Sequence, residues 1–204
     1  MKYRIERLEQ AQVADIYSQY LTKHFPADEV KPLKSINRMW DMGAYRAYAM
    51  YSEEATNQDN DAVQPTLIGY AFFATAPTCD LILLDYFAIL EPCRGQGLGS
   101  LFLQELKNLL PDYKGILIET EDIDRAQNET ELQTRRKRDL FYEKNGVLRT
   151  RVKGTVYGVH YAVWNFPLSG ISDDVSCQKG MEQIYRIMIP GEKNTKYVKI
   201  EIAF

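Results

Sequence analysis

Leu84–Gly99 reads LDYFAILEPCRGQGLG, and the fold turns on how that stretch is understood. A run of branched and aromatic residues, the pattern of a buried strand, leads into a turn holding Gly95, Gly97 and Gly99. An amphipathic helix starts immediately afterwards. Glycine lets the backbone bend tightly and brings its N–H groups close to a ligand. The first N–H groups of a helix lack an internal partner, and the helix dipole adds partial positive charge there, so the turn predicts a phosphate site. A P-loop is excluded, because no Gly-Lys-Ser/Thr follows at the required distance. A dinucleotide fingerprint needs glycine at 95, 97 and 100, and position 100 is Ser, although Glu119 and Glu121 lie about twenty residues on, where its ribose ligand would be. That fold repeats strand–helix–strand units, whereas the strands around this turn read as meanders. A tight turn without a ligand is the remaining alternative, and three glycines beside Arg94 exceed what it requires.

Outward from the turn, the helix carries Leu98, Leu101, Phe102, Leu106 and Leu109 on one face and stops before Pro111. Upstream, Lys2–Leu8 predicts a strand and Ala11–His24 a helix, with Val13, Ile16, Tyr17, Tyr20 and Leu21 as its apolar stripe. Pro32 opens a second helix that stops near Gly43, and Tyr45–Ser52 is a strand. Glu53–Gln64 is a polar loop, and Thr66–Ala76 and Leu81–Leu90 are adjacent strands parted at Pro77. Downstream come a strand over Gly115–Glu121, a charged helix from about Asp124 to Lys144 stopped by Asn145–Gly146, and strands over Val147–Lys153 and Tyr157–Phe166. Asp173 or Asp174 caps a helix to about Ile189, and Val198, Ile200, Ile202 and Phe204 alternate as a half-buried strand. The order is mixed α/β.

The 204 residues carry 25 Lys+Arg against 28 Asp+Glu, a net charge of −3, with 45% hydrophobic residues. These values describe a soluble domain that buries roughly 70% of its unfolded surface and needs no staple. No apolar run reaches the roughly 18 residues of a membrane span, and MKYRIERLEQ is not a signal peptide. Cys79, Cys93 and Cys177 are odd in number and scattered, which predicts free thiols in a reducing cytoplasm. No metal site is expected at His24 or His160, and the acidic balance argues against a nucleic-acid partner.

Arg94-x-x-Gly97-x-Gly99 between a strand and a helix resembles the acyl-CoA signature of the GNAT N-acetyltransferase superfamily. Phe141-Tyr142-Glu143-Lys144-Asn145-Gly146 resembles that family's second motif, in the right order downstream. The resemblance covers residues 1–166, expected to be one acetyltransferase-like domain, and leaves 167–204 as a helix–strand extension packed on it. It implies a mixed, mostly antiparallel central sheet with splayed central strands, flanked by helices. It also implies acetyl-CoA as acyl donor, with no metal. The pyrophosphate would be held by Gly95, Gln96, Gly97, Leu98, Gly99 and Ser100 beside Arg94, and the pantetheine arm by the backbone of Phe87, Ala88 and Ile89.

Acetyl transfer to an amine requires the amine to lose a proton, the oxyanion to be stabilised and the leaving thiolate to be protonated. Tyr142 matches the family's general-acid tyrosine. Glu119 and Glu121, on one face of their strand by alternation, are the base or water-relay candidates, with Asp85 a third. Where the second motif commonly has an Asn seven residues before the tyrosine, this chain has Arg135, so that role is not carried over. Cys93 beside Arg94 lacks a nearby histidine for covalent catalysis, and Arg135–Arg138 reads as an exposed helix face. The acceptor expected is a small-molecule or protein amine, with no nucleic-acid or membrane partner, for a monomer or homodimer. A non-catalytic acyl-CoA-binding regulatory module is the alternative, and a nucleotide-dependent oxidoreductase that binds NAD or NADP the third option.

Overall fold

The computed structural model describes residues 2–27, 29–53 and 65–203. Most of the expected polar loop (54–64) and Phe204 at the end of the last expected strand lie outside them. Eight strands among the described residues form one sheet in the order β1-β2-β3-β4-β5-β7-β6-β8, mostly antiparallel and accompanied by helices. The chain divides into two compact units, Met1–Phe73 with Asp85–Phe102, and Ala74–Leu84 with Leu103–Phe204.

In the first unit, β1 (Lys2–Arg7) runs antiparallel to β2 (Tyr45–Glu53), with Lys2 opposite Glu53 and Arg7 opposite Tyr48. Helix α1 (Gln10–Ile16) opens on a reciprocal cap between Glu9 and Gln12. The single helix expected over Ala11–His24 is interrupted, because Tyr17–Leu21 winds as a π-helix before the short α2 (Thr22–His24). The wider turn inserts an extra residue into the helical period. Val13, Ile16 and Leu21 remain buried, while Tyr17 and Tyr20 from the same expected stripe are only half-buried. Pro32 precedes α3 (Leu33–Asp41), and Gly43, at φ +68°, ends it. Strand β3 (Leu67–Ala74) lies next to β4 (Leu81–Ile89), whose last five residues belong to this unit.

In the second unit, the start of β4 pairs in parallel with β5 (Gly115–Glu121), from Leu81 opposite Gly115 to Leu84 opposite Ile118, so the strands on either side of the glycine turn form a parallel pair and not the meander expected there. Ile82, Leu83, Ile116 and Leu117 are fully buried, which is why both segments read as unbroken apolar runs rather than alternating ones. Among the described residues this register covers four pairs, and both strands run on past it. β5 then pairs antiparallel with β7 (Val159–Pro167), β7 with β6 (Leu148–Val156), and β6 with β8 (Val198–Ile202). Tyr157 and Gly158, expected at the start of a strand, form the β6–β7 turn with positive φ.

Helix α4 (Leu98–Leu109) follows the glycine turn. Helix α5 (Glu129–Lys144) begins five residues later than expected, because the Asn128 side chain accepts from the Glu131 N–H at 2.9 Å and fixes the start there. Asp173 caps α6 (Asp174–Met188) by accepting from the Ser176 N–H at 2.8 Å. A further short helix, α7 (Glu192–Tyr197), precedes β8 and was not expected.

Candidate active site

The glycine turn lies wholly in the first unit. Leu90–Arg94 folds into a 3-10 turn around Pro92, with the Cys93 N–H donating to Leu90 and the Arg94 N–H to Glu91. The Arg94 side chain then turns back, and its Nε donates to the Ile89 carbonyl at 2.9 Å, tying the turn to the end of β4. The Gln96 amide donates to the Pro92 carbonyl at 3.1 Å. Gly95 and Gly97 have φ of +75° and +79°, and a Cβ on either would meet nothing within 4 Å, so the cradle is open. Leu98 is buried and anchors the helix start, whereas Gly99 and Ser100 are half-buried. Leu101 is the first residue of α4 whose N–H finds a backbone acceptor, the Gly97 carbonyl at 3.1 Å. Among the described residues, none of the six amides from Gly95 to Ser100 donates to a protein acceptor. Six adjacent N–H groups at a helix N-terminus fit an anionic diphosphate. Behind the turn, Ala88 is buried, and Phe87 packs on Phe102 with ring centroids 5.7 Å apart.

Tyr142, Glu119 and Glu121 belong to the second unit. Tyr142 is buried on α5, edge-on to Phe141, and its hydroxyl makes no hydrogen bond among the described residues. Burial pushes its pKa up to about 12, with the Asp139 carboxylate adding and the Arg138 charge opposing, so the phenol stays protonated at physiological pH. The end of its helix is fixed by Asn145, whose side chain donates to the Phe141 carbonyl at 2.7 Å and whose carbonyl accepts from Gln104 at 2.9 Å.

Glu119 and Glu121 are half-buried, while Thr120 between them is buried and accepts from the Trp164 indole at 2.9 Å. The two carboxylates live in different surroundings. Glu121 is gripped by two guanidiniums, Arg135 on Oε1 at 2.9 Å and Arg138 on Oε2 at 3.3 Å. Arg135 also donates to the Asp122 carbonyl at 2.7 Å, so it ties α5 to the end of β5. Glu119 instead accepts a hydrogen bond from the Tyr185 hydroxyl on Oε2 at 2.7 Å. Tyr185 sits on α6, beyond the stretch that the motifs cover. Its signal in the sequence was a phenol inside the stripe of Cys177, Met181, Ile184 and Met188, since a buried hydroxyl needs a partner.

Asp85, in the first unit, is committed elsewhere. Its carboxylate takes the Lys31 ammonium and the Tyr45 hydroxyl, each at 2.6 Å. All three cysteines are free thiols, and among the described residues no group of three or more His, Cys, Asp or Glu could hold a metal ion. Among them, too, no helix is long and apolar enough to cross a membrane.

No family model matches the chain. No curated protein matches it either. Solved structures do. A protein from Bacteroides thetaiotaomicron assigned to the acetyltransferases of the GNAT family superposes with a TM-score of 0.62 at 17% identity, over 87% of this chain and 93% of that one. This chain has the GNAT fold. The ribosomal-protein-S18-alanine N-acetyltransferase from Escherichia coli shares that fold at TM-score 0.52 and 16% identity, over 85% of this chain and 98% of its own. So does the spermidine N-acetyltransferase from Vibrio cholerae, solved with CoA and spermine, at TM-score 0.51 and 11% identity, over 82% and 96% of the two chains. The GNAT fold therefore extends over most of the chain at identities too low to carry an activity with it.

Proposed function

We propose that this protein is an acetyl-CoA-dependent N-acetyltransferase of the cytoplasm that passes the acetyl group directly to a primary amine on a small molecule or a protein. Its catalytic domain spans residues 1–166, with 167–204 as an extension packed on it. The observation that carries this reading is the run of six amides, Gly95–Ser100, left without protein acceptors at the start of α4. The GNAT fold supports it, since one solved protein of that fold holds CoA and spermine.

In this reading the six amides hold the pyrophosphate, and the backbone of Phe87–Ile89 pairs with the pantetheine arm. Bound acetyl-CoA supplies the thioester. Glu119 takes the proton of the incoming ammonium, directly or through water, while Tyr185 keeps its carboxylate in one orientation. Glu121, held by Arg135 and Arg138, is the less available of the two carboxylates. Tyr142 presents its phenolic proton to the leaving sulfur. A phenol near pKa 12 holds its proton more tightly than a thiol of pKa about 8.5. Its contribution is thus a hydrogen bond that strengthens as charge develops on sulfur, and the departing thiolate takes its proton from water.

Thermal-shift titration with acetyl-CoA, CoA and NAD in parallel tests the reading. A ligand at 100 times its Kd adds about 2.7 kcal/mol, a rise of roughly 5–10 °C for a chain this size. Both CoA forms should raise the melting temperature and NAD should not, and acetyl-CoA with an amine panel should release CoA. A shift with NAD alone, or CoA binding without release to any amine, rejects the enzyme as stated.

A further inference from the structure

One polar cluster of the first unit has no part in the scheme above. Asp85, on β4, has a side chain only 3% exposed, yet it carries a carboxylate on a strand otherwise built of apolar residues. Lys31, from the segment before α3, reaches it with Nζ 2.6 Å from Oδ1. The Tyr45 hydroxyl donates to Oδ2, also at 2.6 Å. The Tyr86 ring stands 5.1 Å from the same Nζ, close enough for a cation–π contact. Tyr86 fastens the incoming segment as well, since its hydroxyl accepts from the Lys31 N–H at 2.8 Å and donates to the Glu29 carbonyl at 3.0 Å. Phe25 closes the far side, edge-on to Tyr86 at 5.0 Å.

Carboxylate, phenol and ring are fixed parts of the sheet, whereas the ammonium arrives on a connecting segment and is a quarter exposed. We infer that Asp85, Tyr45 and Tyr86 form a receptor for a primary alkylammonium, which Lys31 fills as an internal occupant. As an ammonium site it stands apart from the acetyltransferase reading.

The geometry also selects among cations. A guanidinium binds a carboxylate best through two parallel N–H bonds to both oxygens. Here Oδ2 is taken by Tyr45, whose phenol is kept protonated by its burial and by the Asp85 charge, so the fork cannot close. A quaternary ammonium has no N–H to give Oδ1. A primary amine satisfies both the carboxylate and the ring, as Lys31 does. The tethered lysine competes at high effective concentration, so an external amine binds the native chain weakly and tightens when Lys31 is removed.

The experiment compares the native chain, Lys31→Met and the double variant Lys31→Met/Asp85→Asn by calorimetry and melting temperature, each titrated with butylamine, butylguanidine and choline. The expected result is saturable butylamine binding to Lys31→Met at least tenfold tighter than to the native chain, lost in the double variant, with butylguanidine and choline at least tenfold weaker. Equal binding to native and Lys31→Met protein, or binding that survives Asp85→Asn, overturns the inference. Should Lys31→Met fail to fold, Lys31→Gln keeps a neutral donor on Asp85 and carries the same titrations. A CoA melting-temperature arm separates the two readings: no response to CoA in any variant rejects the transferase, while the amine titration still decides the ammonium site.

Discussion

Replacing Gly97 by Ala separates what the turn does for the fold from what it does for a ligand. At φ +79° an L-residue pays about 1–2 kcal/mol for the left-handed backbone. A Cβ there meets nothing within 4 Å, so no clash adds to that figure. At about 2–4 °C per kcal/mol for a chain this size, the melting temperature should drop by roughly 2–8 °C. Gly158, in the β6–β7 turn at φ +87° with equally open surroundings, is the control, and Gly158→Ala should cost about the same. The two variants part company on CoA. If relaxing Gly97 misaims two of the six amides, the loss is about 1.5–3 kcal/mol for each charge-assisted bond, or at least a hundredfold in Kd. Gly158→Ala should bind CoA as the native chain does. Calorimetric titration of both variants with CoA decides the matter. Equal CoA affinity in Gly97→Ala and native protein, alongside the worked drop in melting temperature, would refute the claim that these amides hold the ligand.

Other consequences can be checked separately. Tyr142→Phe should lower kcat roughly a hundredfold with CoA affinity unchanged; an undiminished kcat in a CoA-release assay removes the tyrosine from the chemistry. Tyr185→Phe takes away the hydrogen bond to Glu119 and should lower kcat/KM several-fold at constant CoA affinity, whereas Glu121→Gln should mainly loosen the α5–β5 contact and lower the melting temperature. At Asp122, burial works to raise the pKa, but hydrogen bonds from Lys153 and the Asp124 N–H, with the charges of Lys153 and Arg149, outweigh it and leave the pKa lowered. The stability it contributes is complete above the unfolded value near 3.8 and lost as pH falls through the lower folded value, so Lys153→Met should flatten the fall in melting temperature below about pH 4. Burial pushes the Cys177 thiol up to about 12, so iodoacetamide at pH 8 should leave it unmodified in folded protein and alkylate it in urea.

Much of this was readable from the chain itself. The buried runs of β4 and β5 were legible as LILL and GILI, because strands buried on both faces leave no polar position to misread. Their parallel pairing was not, since apolar runs carry no sign of strand direction and the segments around the turn read as meanders. The glycine turn was legible because positive φ demands glycine and leaves it visible in the sequence. The π-helical turn at Tyr17–Leu21 was not, since an i→i+5 bond has no residue signature and the stripe through Tyr17 and Tyr20 fitted a plain helix equally well. The late start of α5 was written in Asn128, but the charged run on both sides carried no apolar period to show where winding begins. The partners of the carboxylates escaped for a different reason: Asp85 meets a lysine 54 positions away and Glu119 a tyrosine 66 positions away, and strand alternation fixes only the face.

The C-terminal strand has a bearing on solubility. β8 covers β6 from Val152 to Val156, and without it that edge would offer unpaired backbone to any neighbouring chain. β8 then becomes an edge itself, but one of only five residues, with Lys199 and Glu201 paired at 2.7 Å on its exposed side. A short charged border is a poor template for further strand addition. A chain cut after Pro167 would therefore lose a partner of Glu119 and also its protection against edge-to-edge aggregation.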